Sequence, residues 1–244
     1  MRVRPDPDTF ERLARDWPLV PIWTELLADV STPVGVFPAL AGEGPGILLE
    51  SVERSERWGR YSFAAGDPAG VAIADASGLS VREVTRPLPV PSADPRAPVR
   101  DALRALAASL AAPRLPELPS LTGGLMGYVA YEAAALLDGH PAPHPESAPC
   151  PPIGLLVIDR AVVFDHWRQR LLLVAHVPAD GYRRGLDALA ELSDTVASAR
   201  APAPEPLDAE PGTPAAPGDP NMPDDRYRAI VSSFKEHILA GDIY

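Results

Sequence analysis

Residues 153–177 read IGLLVIDRAVVFDHWRQRLLLVAHV, and this stretch determines the fold class predicted for the chain. It contains three apolar runs rich in Val, Ile and Leu, which are separated by short segments containing Asp, Arg and Gln. Runs of this length and composition, bounded by polar residues, are typical of β-strands. We therefore predict strands at Ile153–Ile158, Val162–His166 and Leu171–Val177 that form a three-stranded meander.

Similar patterns extend outward from this stretch. Upstream, short β-like runs occur at Tyr61–Ala64, Val71–Ala74 and Leu79–Val84, punctuated by the turn sequences GDP and ASG. Apolar residues recur at helical spacing in residues 98–112 and again in residues 182–199, which predicts two amphipathic helices. The chain is thus predicted to combine many short strands with a few helices.

The first fifty residues suggest a helix followed by a hairpin. Residues 21–29 (PIWTELLAD) place Ile22 and Leu26 on one helical face, so a short helix is predicted there. Residues 33–40 (PVGVFPAL) resemble a strand, the glycine-rich AGEGPG supplies a turn, and residues 47–52 (ILLESV) resemble the returning strand.

Three proline-rich stretches divide the chain. They span residues 85–99, 140–152 and 201–223, and the last is the longest, so it is predicted to be a linker. The predicted organisation is a lobe at 1–200, a Pro/Ala-rich linker at 201–223 and a further helix within 224–244.

Residues 224–240 (DDRYRAIVSSFKEHILA) predict a strong amphipathic helix that Gly241 ends. The acid pair Asp224-Asp225 is interpreted as a cap of its first turn rather than a catalytic dyad. Its apolar stripe consists of Tyr227, Ile230, Val231, Phe234, Ile238 and Leu239. Such a stripe needs a packing partner that this sequence does not supply, so we expect the chain to be part of a longer protein.

Composition excludes several classes of protein. The net charge of -11 argues against a non-specific nucleic-acid or anionic-membrane surface, because both need clustered Lys and Arg. No window approaches the roughly 20 apolar residues of a membrane-spanning helix. The start, MRVRPDPDTFERLARDW, lacks the apolar run of a signal peptide. The expectation is a soluble cytoplasmic protein.

Motifs for metal, phosphate or nucleophile chemistry are weak. Cys150 is the only cysteine, and it lies in a proline-rich loop, so it is interpreted as a bystander. The five histidines form no HExxH-like pair, so no metal ligand is assigned. Gly123, Gly124 and Gly127 lack the Lys-Ser/Thr of a phosphate loop. They are interpreted as sites of close backbone packing, with Tyr128 and Tyr131 as anchors.

Five segments, taken in order, resemble the family of anthranilate synthase component I. They are residues 19–40 (LVPIWTELLADVSTPVGVFPAL), 46–52 (GILLESV), 60–68 (RYSFAAGDP), 121–132 (LTGGLMGYVAYE) and 225–244 (DRYRAIVSSFKEHILAGDIY). The second contains the family's LLES signature, the third is similar to its RYSF-type strand and turn, and the fourth resembles its GGxxGYxxYD/E element. The last resembles the first helix of its chorismate-binding domain. The chain therefore resembles the amino-terminal part of such an enzyme.

The resemblance implies an α+β fold, with antiparallel sheets packed as a β-sandwich and peripheral helices. It implies a lyase of L-tryptophan biosynthesis that converts chorismate and ammonia to anthranilate and pyruvate with Mg²⁺. The ammonia would come from a glutamine amidotransferase subunit, in a heterotetramer. The family's catalytic and metal-binding residues lie downstream of Tyr244, so none is assigned here, and this chain alone is expected to show no turnover.

The resemblance also implies a feedback site for L-tryptophan at LLES. Glu50 would pair with the ligand ammonium, Ser51 would add a hydroxyl, and Leu48 and Leu49 would wall the indole. Arg60 is expected either to contact the ligand carboxylate or to form an ordinary salt bridge. A half-buried strand that is apolar on one side and polar on the other would by itself produce the same Leu-Glu-Ser sequence.

Two other functions remain open from the sequence. Aminodeoxychorismate synthase component I, of the folate pathway, shares most of these motifs, although LLES and RYSF favour the anthranilate enzyme. A stand-alone amino-acid-binding module without catalysis is the other alternative. In that case the helix at 224–240 would dock to another protein.

Overall fold

The computed structural model describes residues 2–27, 29, 31–50, 59–91, 97–138, 150–200 and 220–243. The chain divides into two compact units, Met1–Pro202 and Ala203–Tyr244. Most of the predicted linker, residues 201–219, lies outside the described residues, as do parts of the other two proline-rich stretches. In the described part of the chain, no helix is both long enough and apolar enough to cross a bilayer.

In the first unit, groups of strands alternate along the chain with helices. Its strands are β1 Val3–Arg4, β2 Val20–Leu27, β3 Gly46–Leu49, β4 Tyr61–Gly66, β5 Gly70–Asp75, β6 Gly78–Arg82, β7 Gly124–Val129, β8 Ile153–Ile158, β9 Arg160–Asp165 and β10 Arg170–Val177. Its helices are α1 Pro7–Leu13, α2 Pro33–Ala41, α3 Val99–Ser109, α4 Ala133–Asp138 and α5 Tyr182–Ser198. The predicted strands at 61–64, 71–74 and 79–84 and the predicted helices at 98–112 and 182–199 are confirmed.

The strands form two antiparallel sheets. One has six strands in the order β1-β2-β10-β9-β4-β3, and the other has four in the order β6-β5-β8-β7. Helices α1, α2 and α5 cover one face of the six-stranded sheet, with Phe10, Val36 and Leu189 in the shared core. Helices α3 and α4 cover one face of the four-stranded sheet through Leu106 and Ala133. The α+β class, with antiparallel sheets and helices outside them, is confirmed.

The uncovered faces of the two sheets meet each other. A small apolar cluster joins Ala65 and Ala161 of the six-stranded sheet to Met126 and Ile158 of the four-stranded sheet. Next to it, Leu115 and Leu118 pack against the same face of the larger sheet. Central strand β10 is consequently buried on both faces, with Leu171, Leu172, Leu173 and Val174 at 1% exposure or less. Burial of each such side chain contributes about 1.5–3 kcal/mol to folding.

The predicted three-stranded meander at 153–177 is wrong in one respect. All three segments are strands, and β9 pairs with β10, but β8 belongs to the other sheet and pairs with β5 and β7. The chain passes from one sheet to the other at Asp159. Arg86 holds this residue, donating from Nε and Nη2 to the two carboxylate oxygens at 2.8 and 2.9 Å. This ion pair spans distant parts of the sequence, so local pattern could not indicate it.

The predicted helix at 21–29 and strand at 33–40 are both wrong, because the structure reverses them. Residues 20–27 form β2, whose first five residues are buried on both faces, so the alternation that identifies a strand is lost there. Residues 33–41 form α2, which Thr32 begins by accepting a hydrogen bond from the Gly35 N–H at 3.1 Å. Consequently β3 pairs with β4 rather than with residues 33–40.

The second unit contains α6, Asp224–Ala240, as predicted. Gly241 ends it in the left-handed conformation with φ 80°. The capping interpretation is wrong in detail, because Pro223 occupies the N-cap and the two acids lie in the first turn. There they interact favourably with the helix dipole. Most of the apolar stripe is exposed, with Phe234 at 55% and Leu239 at 88%.

Candidate functional site

The predicted ligand-binding strand lies at an edge of the six-stranded sheet. Among the described strands, β3 pairs only with β4, with Leu48 opposite Ala64 and Leu49 opposite Phe63. Leu48 packs against the core beneath the helices, whereas Leu49 points to the other face and is 43% exposed. Glu50 follows the strand and is exposed.

Ser51 lies outside the described residues, together with the rest of 51–58. The role of Ser51, Glu50, Leu49 and Leu48 in binding an amino acid therefore stays a prediction. The position of β3 at the edge of the sheet, with the exposed Glu50 at its end, is compatible with that role.

Arg60 immediately precedes the neighbouring strand β4, and its guanidinium binds Asp165. Nε donates to Oδ1 at 2.9 Å and Nη2 donates to Oδ2 at 2.7 Å, the paired geometry typical of strong arginine–carboxylate contacts. The guanidinium also lies 4.7 Å from the centre of the Tyr61 ring. Of the two expectations for Arg60, the salt bridge is observed, although the partner carboxylate of Asp165 is buried. A contact with a ligand carboxylate remains a prediction.

Asp165 is the centre of a charged network at this end of the sheet. Its side chain has 0% exposure, and it also accepts hydrogen bonds from the Arg168 backbone N–H and from Arg170 Nε. Burial alone would raise the pKa of Asp165, but the bonds from Arg60 and the Arg168 N–H outweigh it and leave the pKa lowered. Arg170 continues the network to Glu25 at 2.7 Å. Arg60 is thereby fixed in position through strands β9, β10 and β2.

A Ser–His pair lies close to this network. Ser62 Oγ and His166 Nε2 are 2.7 Å apart, which is the distance expected between a nucleophile and its base. However, Ser62 is 1% exposed, so no substrate reaches its hydroxyl. Among the described residues, no carboxylate bonds the other ring nitrogen of His166. We interpret the pair as a structural hydrogen bond between β4 and the end of β9.

Gly123 and Gly127 serve close packing, as predicted, whereas Gly124 has open space around it and adopts a φ of 108°. A Cβ on Gly127 would lie 2.1 Å from the Gly154 carbonyl oxygen, so only glycine permits β7 and β8 to pair there. Of the two predicted anchors, Tyr131 is wrong, whereas the Tyr128 ring does pack on the β8 backbone. Tyr131 is 81% exposed, and Tyr128 covers Gly154 with its ring while remaining 43% exposed.

The described residues offer no carboxylate cluster for a cation. No three His, Cys, Asp or Glu side chains in the described part of the chain converge in a way that would hold a metal ion. The described residues therefore do not fit Mg²⁺ coordination, and no chemical step is assigned to the ion here. Cys150 is exposed.

Two polar features were missed by the sequence analysis. The Arg86–Asp159 pair lies where the chain changes sheets, and His176 is buried beside it, with its backbone N–H donating to the Asp159 carbonyl at 2.7 Å. Burial lowers the pKa of His176 to about 4, partly offset by the Asp159 carbonyl. His176 lies in β10, where its neighbours from Leu171 to Val177 are apolar. Its position in this apolar strand was the only indication of its burial that the sequence offered.

Comparison with known proteins identifies the family. The model of the chorismate binding enzyme family matches residues 67–244, which is most of the chain. The chain belongs to the chorismate binding enzymes. The match begins at the turn after β4, so it includes the Arg86–Asp159 crossing, the glycine segment of β7 and helix α6.

Individual members of the chorismate binding enzymes agree with this assignment. The chain is 34% identical to anthranilate synthase component 1 of Streptomyces coelicolor, over 95% of this chain and 43% of that protein. It is 28% identical to the Acinetobacter calcoaceticus protein of the same name, over 96% of this chain and 47% of that protein. The chain thus spans about half the length of these relatives. The resemblance drawn from the five segments is confirmed.

A solved structure supports the fold. Anthranilate synthase component I from Streptococcus pneumoniae TIGR4 superposes with a TM-score of 0.52 and 20% identity, covering 90% of this chain and 46% of that chain. At this identity, the likeness concerns the fold alone.

Proposed function

We propose that this chain is the amino-terminal portion of anthranilate synthase component I. The whole enzyme would be a lyase that converts chorismate and ammonia to anthranilate and pyruvate for tryptophan biosynthesis. The observation that carries this proposal is the match of nearly the whole chain to proteins named anthranilate synthase component 1 from several bacteria. The LLES and RYSF segments favour it over the aminodeoxychorismate enzyme.

The chain's own part in this enzyme is regulatory and structural. The carboxyl end of β3 and the Arg60–Asp165 pair belong to a lobe in which the described residues form no metal-binding cluster. Chorismate, Mg²⁺ and the proton transfers at the ring are assigned to the remainder of the whole protein. Ammonia would be supplied by a glutamine amidotransferase subunit, and the assembly is proposed to be a heterotetramer.

The test is an assay of the product encoded by the complete gene. Its mass by immunoblot in the source cells should be about twice the 25.9 kDa of this chain, as the partial coverage of the relatives suggests. With chorismate, Mg²⁺ and ammonium chloride it should produce fluorescent anthranilate and an equal amount of pyruvate. The 244-residue chain alone should produce neither. Formation of aminodeoxychorismate instead would establish the folate-pathway alternative.

Tryptophan inhibition provides a residue-level prediction. In the complete protein, Ser51→Ala should raise the tryptophan concentration for half inhibition about fivefold, because one hydrogen bond to the ligand is lost. The rate without tryptophan should stay the same. Ser193→Ala, on helix α5, is the matched control and should leave inhibition unchanged. Equal inhibition of the Ser51 and Ser193 variants would exclude Ser51 from the site.

A further inference from the structure

Residues 112–123 form a strap between the end of α3 and the start of β7. The middle of the strap is held by apolar contacts, because Leu115 and Leu118 pack against the six-stranded sheet. Near β7 the strap is held by Thr122, whose Oγ1 lies 3.2 Å from Nε2 of His176 in β10. Strap residues and His176 line the same cavity of about 350 Å³. This end of the strap is thus attached to the core through a buried histidine.

The strap encloses His176 as a neutral imidazole. The residue is 7% exposed. With its hydrogen on Nε2, the ring donates to Thr122 Oγ1, and Nδ1 carries only a lone pair. Nδ1 is buried and has no hydrogen-bond partner among the described residues, and a Cβ at Gly123 would lie 2.8 Å from it. The Gly123 backbone therefore packs against the unprotonated edge of the ring.

A second proton on this ring would have no acceptor while the strap is in place. Protonation places an N–H on Nδ1, beside the Gly123 backbone. Asp159 is the only acid among the described residues that line the cavities next to His176. Arg86 already binds both of its carboxylate oxygens, at 2.8 and 2.9 Å. The folded chain consequently offers no carboxylate to an imidazolium.

The remaining charged groups along these walls are cations. They are Arg114, Arg160 and Arg184, of which the last two pair with Glu191 and Asp180. A buried charge without a partner is costly, so a protonated ring needs access to water. Moving Gly123 and Thr122 away would open Nδ1 to solvent.

Burial of the ring agrees with this geometry. It lowers the pKa of His176 from 6.5 to about 4, partly offset by the Asp159 carbonyl. In an open strap the solvated ring regains its ordinary pKa. Acid therefore favours the open form, because that form takes up the proton more readily than the closed form does.

We propose that His176 and the strap form an acid-sensitive latch, which is closed when the ring is neutral and opens when the ring is protonated. Opening separates Thr122 and Gly123 from β10 and uncovers the cavity. The latch is a property of this chain, and it does not depend on the proposed enzyme activity or on tryptophan inhibition.

The first test is cleavage of the 244-residue chain after Glu117, which lies in the strap, by a glutamate-specific protease that is active at pH 7.5 and at pH 5. The cleavage rate is divided by that of a free peptide of residues 112–123 at the same pH. This ratio should rise about 30-fold from pH 7.5 to pH 5, because the pKa of His176 rises from about 4 to 6.5 on opening. A ratio that does not change with pH would overturn the proposal.

Urea separates opening of the strap from unfolding of the whole chain. Below the unfolding transition, urea should accelerate cleavage after Glu191, in helix α5, because this cleavage requires the exposure of much buried surface. Cleavage after Glu117 should change little, since moving the strap exposes only a small area. Equal acceleration at the two sites would mean that the strap opens only when the fold is lost, and the latch would be excluded.

Gly123→Ala should open the latch without acid. Its Cβ would meet His176 Nδ1 and the Ile158 carbonyl oxygen, each at 2.8 Å, so the strap must shift. Cleavage after Glu117 should then be about tenfold faster than in the native chain at pH 7.5. Native rates for this variant would contradict the assigned contact between the strap and the ring.

His176→Phe should make cleavage after Glu117 independent of pH. His237→Gln, which changes an exposed histidine of α6, is the matched control and should keep the native dependence. If His176→Phe does not fold, nuclear magnetic resonance of the native chain decides, since the His176 ring should take up its proton over the same pH range in which cleavage accelerates. Protonation near pH 6.5 without faster cleavage would overturn the latch.

Discussion

Replacing Asp165 with alanine should lower the free energy of unfolding by about 3 kcal/mol, because it leaves arginines without their buried partner. The carboxylate is fully buried and is bound by Arg60, Arg170 and the Arg168 backbone N–H. Arg60 and Arg170 are 24% and 15% exposed, so water compensates only part of the loss. Urea unfolding followed by circular dichroism measures the effect as a lower midpoint with an unchanged slope.

Asp180→Ala supplies the matched control for this experiment. Asp180 pairs with Arg184 at 2.8 Å, but the two side chains are 78% and 44% exposed. Loss of such a pair typically costs about 0.5 kcal/mol. If Asp165→Ala costs no more than Asp180→Ala, the network at the end of the sheet does not stabilise the fold as the geometry indicates.

Acidification from pH 7 to pH 5 should remove about 2 kcal/mol of stability through His176 alone, since its pKa differs between the two states. Burial lowers the pKa of His176 from 6.5 to about 4 in the folded chain. Between these values the unfolded chain binds the proton and the folded chain does not, so stability falls as the pH falls through 6.5. The loss is complete near pH 4, below which both states are protonated.

His176→Phe should abolish this part of the pH dependence. The difference in unfolding free energy between native and variant chains should change by about 2 kcal/mol over the same range. His237→Gln, which changes an exposed histidine of α6, should leave the native dependence intact. If the unfolding free energies of the native and His176→Phe chains depend on pH in the same way, His176 accepts its proton as readily in the folded state as in the unfolded state.

Much of the fold was predictable where one face of an element meets solvent. Helices α5 and α6 each keep a polar face, so the helical spacing of their apolar residues is visible in the sequence. Their bounds were therefore predicted closely. Strand β2 is buried on both sides, with Ile22 and Trp23 at 0% and 3% exposure, so its alternation is lost. The Thr32-Pro33 pair that begins α2 is a helix-start signal that the β-like composition of the segment obscured.

The site was harder to predict because its contacts are distant in sequence. Arg60 could be singled out by its position before a strand. Its partner Asp165, however, lies far along the sequence, at the end of β9. The same holds for Arg86 with Asp159, and for His176 with Thr122. The motifs indicated which segments are important. Which polar side chains contact each other could be known only from the order of the strands in the sheets.

The position of β10 in the six-stranded sheet has a consequence for synthesis on the ribosome. Strand β4 pairs with β9 and strand β2 pairs with β10, so these early strands lack their inner neighbours until residues 165 and 177, respectively, have left the exit tunnel. At typical translation speeds, this delay is on the order of 10 s. During that interval the apolar strands of a nascent chain remain open to chaperones and to aggregation. Slowing translation downstream of β10, rather than before it, should therefore favour the yield of native protein.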